Sequence, residues 1–478
     1  MIRASLMKHR SQSQMFLLYG EGLLFLASGA AIYVLISRVA GIELLGKYSL
    51  VTAWMAVFQS FGNLGLSEFI MRELGRSMDR REELLTHGLI VGTGSSIGAT
   101  ILMISMAALV DYPAEISEAL ILGSLSLIPT VFSNICRAAF IAYEKVEWLM
   151  VLALIETTFI LVCNAWLVLN GFGVAYLIAV VALAKLATSI LSLMFVNRYT
   201  VRLRVNFDPR FARSLLPGIV AFGLSHTLGF VSRNLNVVLI SFLSSVTTVG
   251  LYAAAAKLVD IVLLVIGIFA QLMLPRFAST FASLGEHDVD RYRRILHSYF
   301  SIAFIVGVGL FSFSSTIVGT VFGDEFLPSV IVLRVLTVHF LIESLDAVAG
   351  MTLKAANQQN ADVRLFAFNP LVNLALGSVL IPWLGAIGAA LSRLGGVCTS
   401  FALRSRLLPL IGVGTAWLRL AARPLAVCAM AAAFTSQLVN RIPPPIGMLI
   451  YAGLSAAVLV AIAPSDVVGE RNGRSSSS

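Results

Sequence analysis

Long apolar runs recur from one end of this 478-residue chain to the other, and they leave it few ways to fold. Fourteen can be drawn, at about 15–37, 48–70, 86–110, 116–136, 148–169, 174–196, 214–243, 247–272, 296–322, 329–352, 362–382, 385–408, 417–439 and 446–464. Each approaches the roughly 20 residues that cross a hydrocarbon core. Charged residues make up only 12% of the chain, against about 25% in a typical soluble domain. A soluble enzyme, a nucleic-acid binder and a secreted scaffold are thereby excluded. The expected fold class is an all-α polytopic membrane protein with about 14 transmembrane helices.

The first run follows Arg3, Lys8 and Arg10. At about 23 residues it is too long for a signal-peptide core and reads as the first membrane helix. Pro129, Pro217 and Pro370 are candidate kinks, which membrane helices tolerate when neighbours re-satisfy the freed backbone groups. The small residues Gly92-Thr93-Gly94-Ser95-Ser96 suit a close helix–helix approach. Cys136, Cys163, Cys398 and Cys428 lie in apolar stretches without paired spacing. They read as small buried residues and not as disulfides or metal ligands.

The formal net charge of +9 is distributed unevenly. With the amino terminus inside, about 26 of the 34 Lys and Arg residues fall in cytoplasmic connections. Arg38, Lys47 and Arg441 fall outside, and Lys185, Arg233, Lys257, Arg334 and Arg393 fall within the spans. Such asymmetry is the positive-inside signal, and it places both termini in the cytoplasm. The outer connections are short and slightly acidic (Asp111, Glu115, Glu118; Asp324, Glu325). None has room for a catalytic domain, so the chain is not expected to be an enzyme. Residues 467–478, ending in four serines, read as a disordered cytoplasmic tail.

An internal repeat organises the spans. Val34-Leu35-Ile36-Ser37 recurs as Val238-Leu239-Ile240-Ser241, an offset of about 204 that also pairs Gly46 with Gly250, Tyr48 with Tyr252 and Arg72 with Arg276. Further on, Arg137-Ala138-Ala139 parallels Lys354-Ala355-Ala356. The chain therefore divides into an amino-terminal lobe of six helices (1–203), a similar lobe of six (204–410) and two appended helices (411–466). An even number of spans per copy gives parallel repeats about an axis along the membrane normal. Two such bundles enclose a cleft that opens to either side by rocking, which is transporter architecture.

The residues around this repeat resemble a known family. Ser37-Arg38-Val39-Ala40-Gly41, continuing to Gly46-Lys47-Tyr48, is similar to the signature that follows the first helix of polysaccharide flippases. Asn63-Leu64-Gly65-Leu66-Ser67-Glu68 with Arg72-Glu73-Leu74 resembles the end of their second helix. Gly250-Leu251-Tyr252, running on to Ala256-Lys257-Leu258 and then Pro275-Arg276, looks like their second-half motif. Phe322-Gly323-Asp324-Glu325-Phe326 and the segment from Ile381-Pro382 to Ala389-Ala390 complete the pattern. The family is the oligosaccharide (Wzx-type) branch of the MOP flippase superfamily, with a MATE-like two-lobe fold. The resemblance implies a central cavity and movement of undecaprenyl-pyrophosphate-linked sugars from the cytoplasmic to the outer leaflet of the bacterial inner membrane. It also implies polysaccharide polymerase and glycosyltransferases as working partners, membrane lipid as the surroundings, and no nucleic acid.

Charges at mid-membrane cost about 2.5–3.5 kcal/mol each on insertion scales and mark functional candidates. Arg233 and Lys257 each lie about ten residues from the outer end of their helices, roughly 15 Å deep at 1.5 Å per residue. Asp260 shares a helical face with Lys257, and Asn234 and Asn236 flank Arg233. One reading is a cationic platform for pyrophosphate, with Asp260 holding Lys257; the other is an ion pair that only positions helices. Arg334 and Arg393 are further substrate-binding candidates or snorkel outward. Lys185 sits near mid-depth, and Arg38 at the outer mouth is either a site or a boundary residue. Glu21, Glu68, Glu156, Asp260, Glu343 and Asp346 balance the bases. Glu343 and Asp346 share a helix face with His339, a candidate site for coupling to H+ or Na+; no other cofactor is expected. His226 and His339 lack the partners of a metal site.

The leading function is thus a flippase for lipid-linked O-antigen, capsule or exopolysaccharide units, working by alternating access. The alternatives are a multidrug/cation antiporter of the MATE branch and a lipid II flippase. Arg233→Ala and Lys257→Ala should each block surface polysaccharide without lowering protein abundance. Normal polysaccharide in both variants would remove these residues from the site.

Overall fold

A computed structural model of the protein describes residues 2–76, 80–200, 208–283, 286–356, 358–408, 416–439 and 444–462. Side chains at 2–13, 15, 220–222, 224–226, 268–283, 286–294, 416–420, 434–439, 444–445 and 460–462 lie outside that description. The expected tail at 467–478, the lobe junctions near 204 and 411, and the side chains of His226 and Arg276 therefore fall outside it.

Among the described residues there is no strand. The helices are α1 (Ile2–Asn63), α2 (Leu66–Arg76), α3 (Arg81–Leu109), α4 (Ala114–Ser124), α5 (Leu127–Ala142), α6 (Glu147–Leu169), α7 (Val174–Tyr199) and α8 (Pro209–Leu243). They continue as α9 (Val246–Ser283), α10 (Glu286–Ser312), α11 (Ser314–Val321), α12 (Ser329–Ala355), α13 (Gln359–Phe366), α14 (Phe368–Leu384), α15 (Ala386–Leu407), α16 (Ala416–Val439) and α17 (Pro444–Ile462). Nine stretches among the described residues are long and apolar enough to cross a membrane, and shorter apolar helices cover 227–243, 421–433 and 446–459. One of the nine, Phe16–Asn63, runs for 48 residues, about twice what a single crossing needs. Large apolar side chains face outward, among them Trp383 at 85% exposure and Leu109 at 84%. In a membrane chain such an apolar exterior meets lipid.

Among the described residues the expected apolar segments are helical, but their boundaries are corrected in informative places. No loop separates the first two spans. The helix continues through 38–47 and turns at Gly41 alone, where φ is 78° and ψ is −168°. Only glycine adopts that conformation without a Cβ penalty. The second arm then stops at Asn63 instead of reaching 70, because Leu64 (φ 42°) and Gly65 (φ 69°) both turn left-handed. The span at 116–136 is α4 and α5 in sequence, and that at 362–382 is α13 and α14. Pro129 and Pro370 each occupy the third position of the helix after such a break. There the missing N–H costs little, so neither kinks a continuous helix; Pro217 does sit inside α8.

The chain forms two compact units, 1–253 and 254–478. Packing thus groups α8 and the first residues of α9 with α1–α7, whereas the sequence repeat assigns them to the second copy. In the first unit α1 packs on α3, α6 and α8, and α5 on α3 and α7. The amphipathic α2 lays Leu66, Phe69, Ile70 and Leu74 against Val131, Ile135, Ala139 and Phe140. The small-residue stretch of α3 does bring backbones together: Ser95 donates to the Gly62 carbonyl at 2.6 Å, and a Cβ at Gly92 would press on Val131 and Ile135. At the end of the unit that carries the Gly41 kink, Glu115 accepts from Lys47 at 2.7 Å and from the Val174 amide at 3.1 Å. In the second unit α15 packs between α12 and α14, and α10 meets α16 and α17. Tyr451 donates to the Ile305 carbonyl at 3.0 Å and holds α17 on α10.

Two glycines, Gly46 and Gly250, sit at one close approach of α1 and α9. A Cβ at Gly46 would strike the Val246 carbonyl, and one at Gly250 would strike the Ile42 carbonyl. Both pairings combine the same two repeat positions, exchanged between copies. Gly46→Val and Gly250→Val should each destabilise the protein by about 1–3 kcal/mol through overpacking, read as a lower melting temperature of the purified protein. Gly98→Ala, with open space around its Cβ position, should be neutral or stabilising by up to about 1 kcal/mol.

Candidate functional site

The site begins with the helix break at Leu64–Gly65. A helix that stops leaves its last carbonyls without intrahelical partners, and in a membrane those groups must be satisfied by protein or by water in a cavity. Here the Leu64 amide still donates to the Ser60 carbonyl at 3.0 Å, which Thr227 of α8 also reaches at 3.3 Å, and Ser95 serves the Gly62 carbonyl at 2.6 Å. On the other side of the break, Ser67 donates to Asn63 Oδ1 at 3.0 Å and to Glu68 Oε2 at 3.1 Å. Glu68 lies in the first turn of α2, where the helix dipole favours an acid.

Beside this break lies a cavity of about 500 Å³ within the first unit. Gln59, Asn63 and Glu68 line it from α1 and α2, Thr130, Asn134 and Arg137 from α5, and Phe230 from α8. The α5 contributors recur at helical spacing and so share one face. Arg137, 39% exposed, donates through Nη1 to Oε1 of Glu21, whose side chain is only 5% exposed. The second Glu21 oxygen is buried without a hydrogen bond, and so is Gln59 Nε2. Asn134 makes no protein hydrogen bond among the described residues. The wall therefore offers unused donors and acceptors to whatever enters.

The sequence-predicted residues fall around several centres. Arg233 is exposed, and its guanidinium carbon lies 6.0 Å from the ring centre of Phe230. It forms no ion pair with a carboxylate among the described residues, so this cation beside Phe230 is uncommitted. Asn234 is spent on the Phe230 carbonyl at 3.0 Å. Asn236 is fully buried and donates to Tyr252 at 3.2 Å. Lys185 pairs with Glu156 at 2.5 Å and stands 5.6 Å from the Phe25 ring. Arg38 is exposed, three positions before the kink.

Lys257 and Asp260 belong to the second unit. There Asp260 meets Arg393 at 3.2 Å, so Arg393 is buried in an ion pair and does not snorkel. His339 Nε2 lies 2.8 Å from Glu343, and Arg393, Glu343 and Asp260 all act electrostatically on this histidine. Asp346 bonds elsewhere: it takes Arg404 at 2.5 Å and Ser400 at 2.9 Å. Arg404 also reaches Asp362 at 2.8 Å, and that network is nine-tenths buried. Arg334 donates to Ser314 at 2.9 Å beside the Phe311 ring. Among the described residues no three His, Cys, Asp or Glu side chains gather as metal ligands.

Sequence reasoning passed over Gln59, Asn134 and Arg137 as site residues. The signal was present in the spacing of Thr130, Asn134 and Arg137 along one stripe of an otherwise apolar helix. Arg137→Ala would strand a buried carboxylate, which costs about 2–3 kcal/mol here, the lower end for a broken buried pair because the arginine is partly exposed. Glu21→Gln should cost less, and the double variant should recover most of the loss. Thermal melts of the four proteins check the order.

Over 168 residues the chain is 26% identical to the probable low-salt glycan biosynthesis flippase Agl15 of Haloferax volcanii. That alignment spans 34% of this chain and 35% of the relative, about a third of its length. Among solved structures, the fold is similar to that of the lipid II flippase MurJ in an inward closed conformation. The TM-score is 0.72 at 13% identity, covering 95% of this chain and 99% of that one. It is also similar to an inward-facing multidrug resistance MATE family transporter of the MOP superfamily. There the TM-score is 0.66 at 17% identity, covering 80% of this chain and 94% of that one. These likenesses establish an all-helical membrane-transporter fold. Residues 35–331 match the family described as polysaccharide biosynthesis protein, and the chain belongs to that family.

Proposed function

We propose that the protein is a flippase for polyprenyl-pyrophosphate-linked oligosaccharide, moving an O-antigen, capsule or exopolysaccharide unit from the cytoplasmic to the outer leaflet. The observation that carries this reading is the polar cavity among apolar helices, with an uncommitted Arg233 on the ring at its wall. Irregular backbone and unpaired polar groups are tolerated at membrane depth only where they line such a space. Arginine presents a planar fork of donors suited to phosphate oxygens. The polyprenyl tail stays in lipid while the headgroup crosses in the hydrated interior, and no covalent bond changes.

A drug exporter is the main rival. The wall here is rich in carboxamides and hydroxyls with a single aromatic ring, which suits a hydroxylated headgroup better than a flat apolar drug. Lipid II chemistry fits the same wall. The family description, the relative named a glycan flippase and the flippase-like fold support the sugar reading. The positive-inside asymmetry supports a bacterial inner-membrane protein with both termini in the cytoplasm. Polymerase and glycosyltransferases would act after and before it.

The network of Asp260, Arg393, His339 and Glu343 is where we place coupling to H+ or Na+; Asp346, locked to Arg404, is the weaker member of the expected set. In proteoliposomes loaded with fluorescent undecaprenyl-pyrophosphate disaccharide, the protein should expose inner-leaflet label to an external quencher. Arg233→Ala should slow this about 10–100-fold, the weight of a lost hydrogen bond to a charged group. Unchanged flipping in that variant, or no flipping by the wild type, would refute the assignment.

A further inference from the structure

The cavity of the first unit carries less positive charge than a pyrophosphate site requires. Its one arginine, Arg137, is already matched by Glu21, which is buried and would be stranded if an incoming anion drew the guanidinium away. Glu68 on the same wall is a further acid, and Ser67 and Asn63 both donate to its Oε2. With Arg137 cancelled by Glu21, the wall has no net positive charge to hold a multiply charged phosphate.

What the wall offers is hydrogen bonding without net positive charge. The carboxamides of Gln59 and Asn134 each present donor and acceptor on one plane, and Gln59 Nε2 is buried with nothing to bond. Phe230, 38% exposed, supplies an apolar face. Adjacent ring hydroxyls pair with planar amides in two-point fashion, while the C–H face of a sugar ring lies on an aromatic surface. A volume of about 500 Å³ lies within the range of small-molecule sites, about 300–1,000 Å³, and holds roughly one or two sugar rings.

Resting on the flippase reading, we infer that this cavity is the subsite for the first, uncharged sugar of the lipid-linked glycan, and that the pyrophosphate stays outside it at Arg233. The cation and the amides divide the headgroup between them, with Phe230 at the boundary: its ring faces the cavity, and Arg233 stands 6.0 Å from its centre. Glu21 is a positioning residue that cancels the charge of Arg137 and leaves its remaining N–H groups to hydroxyl oxygens.

The test uses the full-length protein in nanodiscs and three kinds of probe: inorganic pyrophosphate, undecaprenyl pyrophosphate, and undecaprenyl pyrophosphate carrying glucose, galactose or N-acetylglucosamine. At least one sugar-bearing lipid should bind roughly tenfold tighter than the sugar-free lipid, the worth of one or two neutral hydrogen bonds. Gln59→Ala and Asn134→Ala should each shrink that increment, and monodisperse elution of the variants checks their folding. Arg233→Ala should weaken sugar-bearing and sugar-free lipids alike. Glu21→Gln, which frees the Arg137 charge, should raise the affinity for inorganic pyrophosphate, a gain that misfolding cannot mimic.

The inference is overturned if none of the three sugars adds affinity, if the increment survives both amide variants, or if the wild type binds inorganic pyrophosphate through Arg137. In those cases, binding of sugar-free lipid that depends on Arg233 leaves the flippase reading standing. Failure of every lipid to bind would sink both.

Discussion

A backbone amide or carbonyl left bare in hydrocarbon costs several kcal/mol, and the organisation of this protein follows from that penalty. It forces the chain into helices and makes every interruption of a helix an event that needs local chemistry. At Gly41 the interruption is confined to one residue, and the helix resumes at once. At Leu64–Gly65 two left-handed residues stop it outright; Ser95 takes the Gly62 carbonyl, and Thr227, Ser67 and Asn63 gather polar groups around the break. The polar cavity lies beside that second break. The same penalty that builds the apolar scaffold thus concentrates polar side chains where the scaffold is cut.

The buried charges obey a related rule. Most are matched within their own unit: Arg137 with Glu21, Lys185 with Glu156, Arg393 with Asp260, and Arg404 with Asp346 and Asp362. Removing both charges from water is costly, and a mutual pair largely offsets that cost only when geometry is good. Such pairs hold helices in register and offer little net field to a ligand. Arg233 differs, because its recorded neighbour is an aromatic ring. A cation of that kind retains its attraction for an anion arriving from outside.

Much of this was legible in the sequence, and the limits of legibility have physical causes. Helix positions follow from hydropathy, since the bilayer imposes one length scale on every run. Gly46 and Gly250 lie where α1 and α9 approach closely, a contact that hydropathy alone does not reveal. Boundaries were less readable: Arg38, Glu43 and Lys47 read as a loop, yet one glycine makes the turn and the helix runs on both sides of it. Pairings between helices were the least readable. Local helical spacing links Asp260 to Lys257, but Asp260 is met by Arg393, 133 positions away, and Arg137 by Glu21, 116 away. Periodicity shows which residues share a face, as for Thr130, Asn134 and Arg137. It does not show which face of another helix they meet.

The division between a neutral polar cavity and an uncommitted arginine also bears on how a carrier releases its cargo. A deep pocket lined with unpaired cations would hold pyrophosphate strongly in every conformation, and a ligand bound equally well in both states shifts nothing between them. Binding that is useful for transport must differ between the two ends of the cycle. Hydrogen bonds from Gln59 and Asn134 are individually weak, and water can replace them one at a time. A single exposed cation at Arg233 is open to the same exchange, since nothing about it is buried against a fixed partner. Neutralising Arg137 with Glu21 therefore does more than stabilise two helices: it keeps the one strong charge inside the cavity from becoming a trap for the headgroup that passes it.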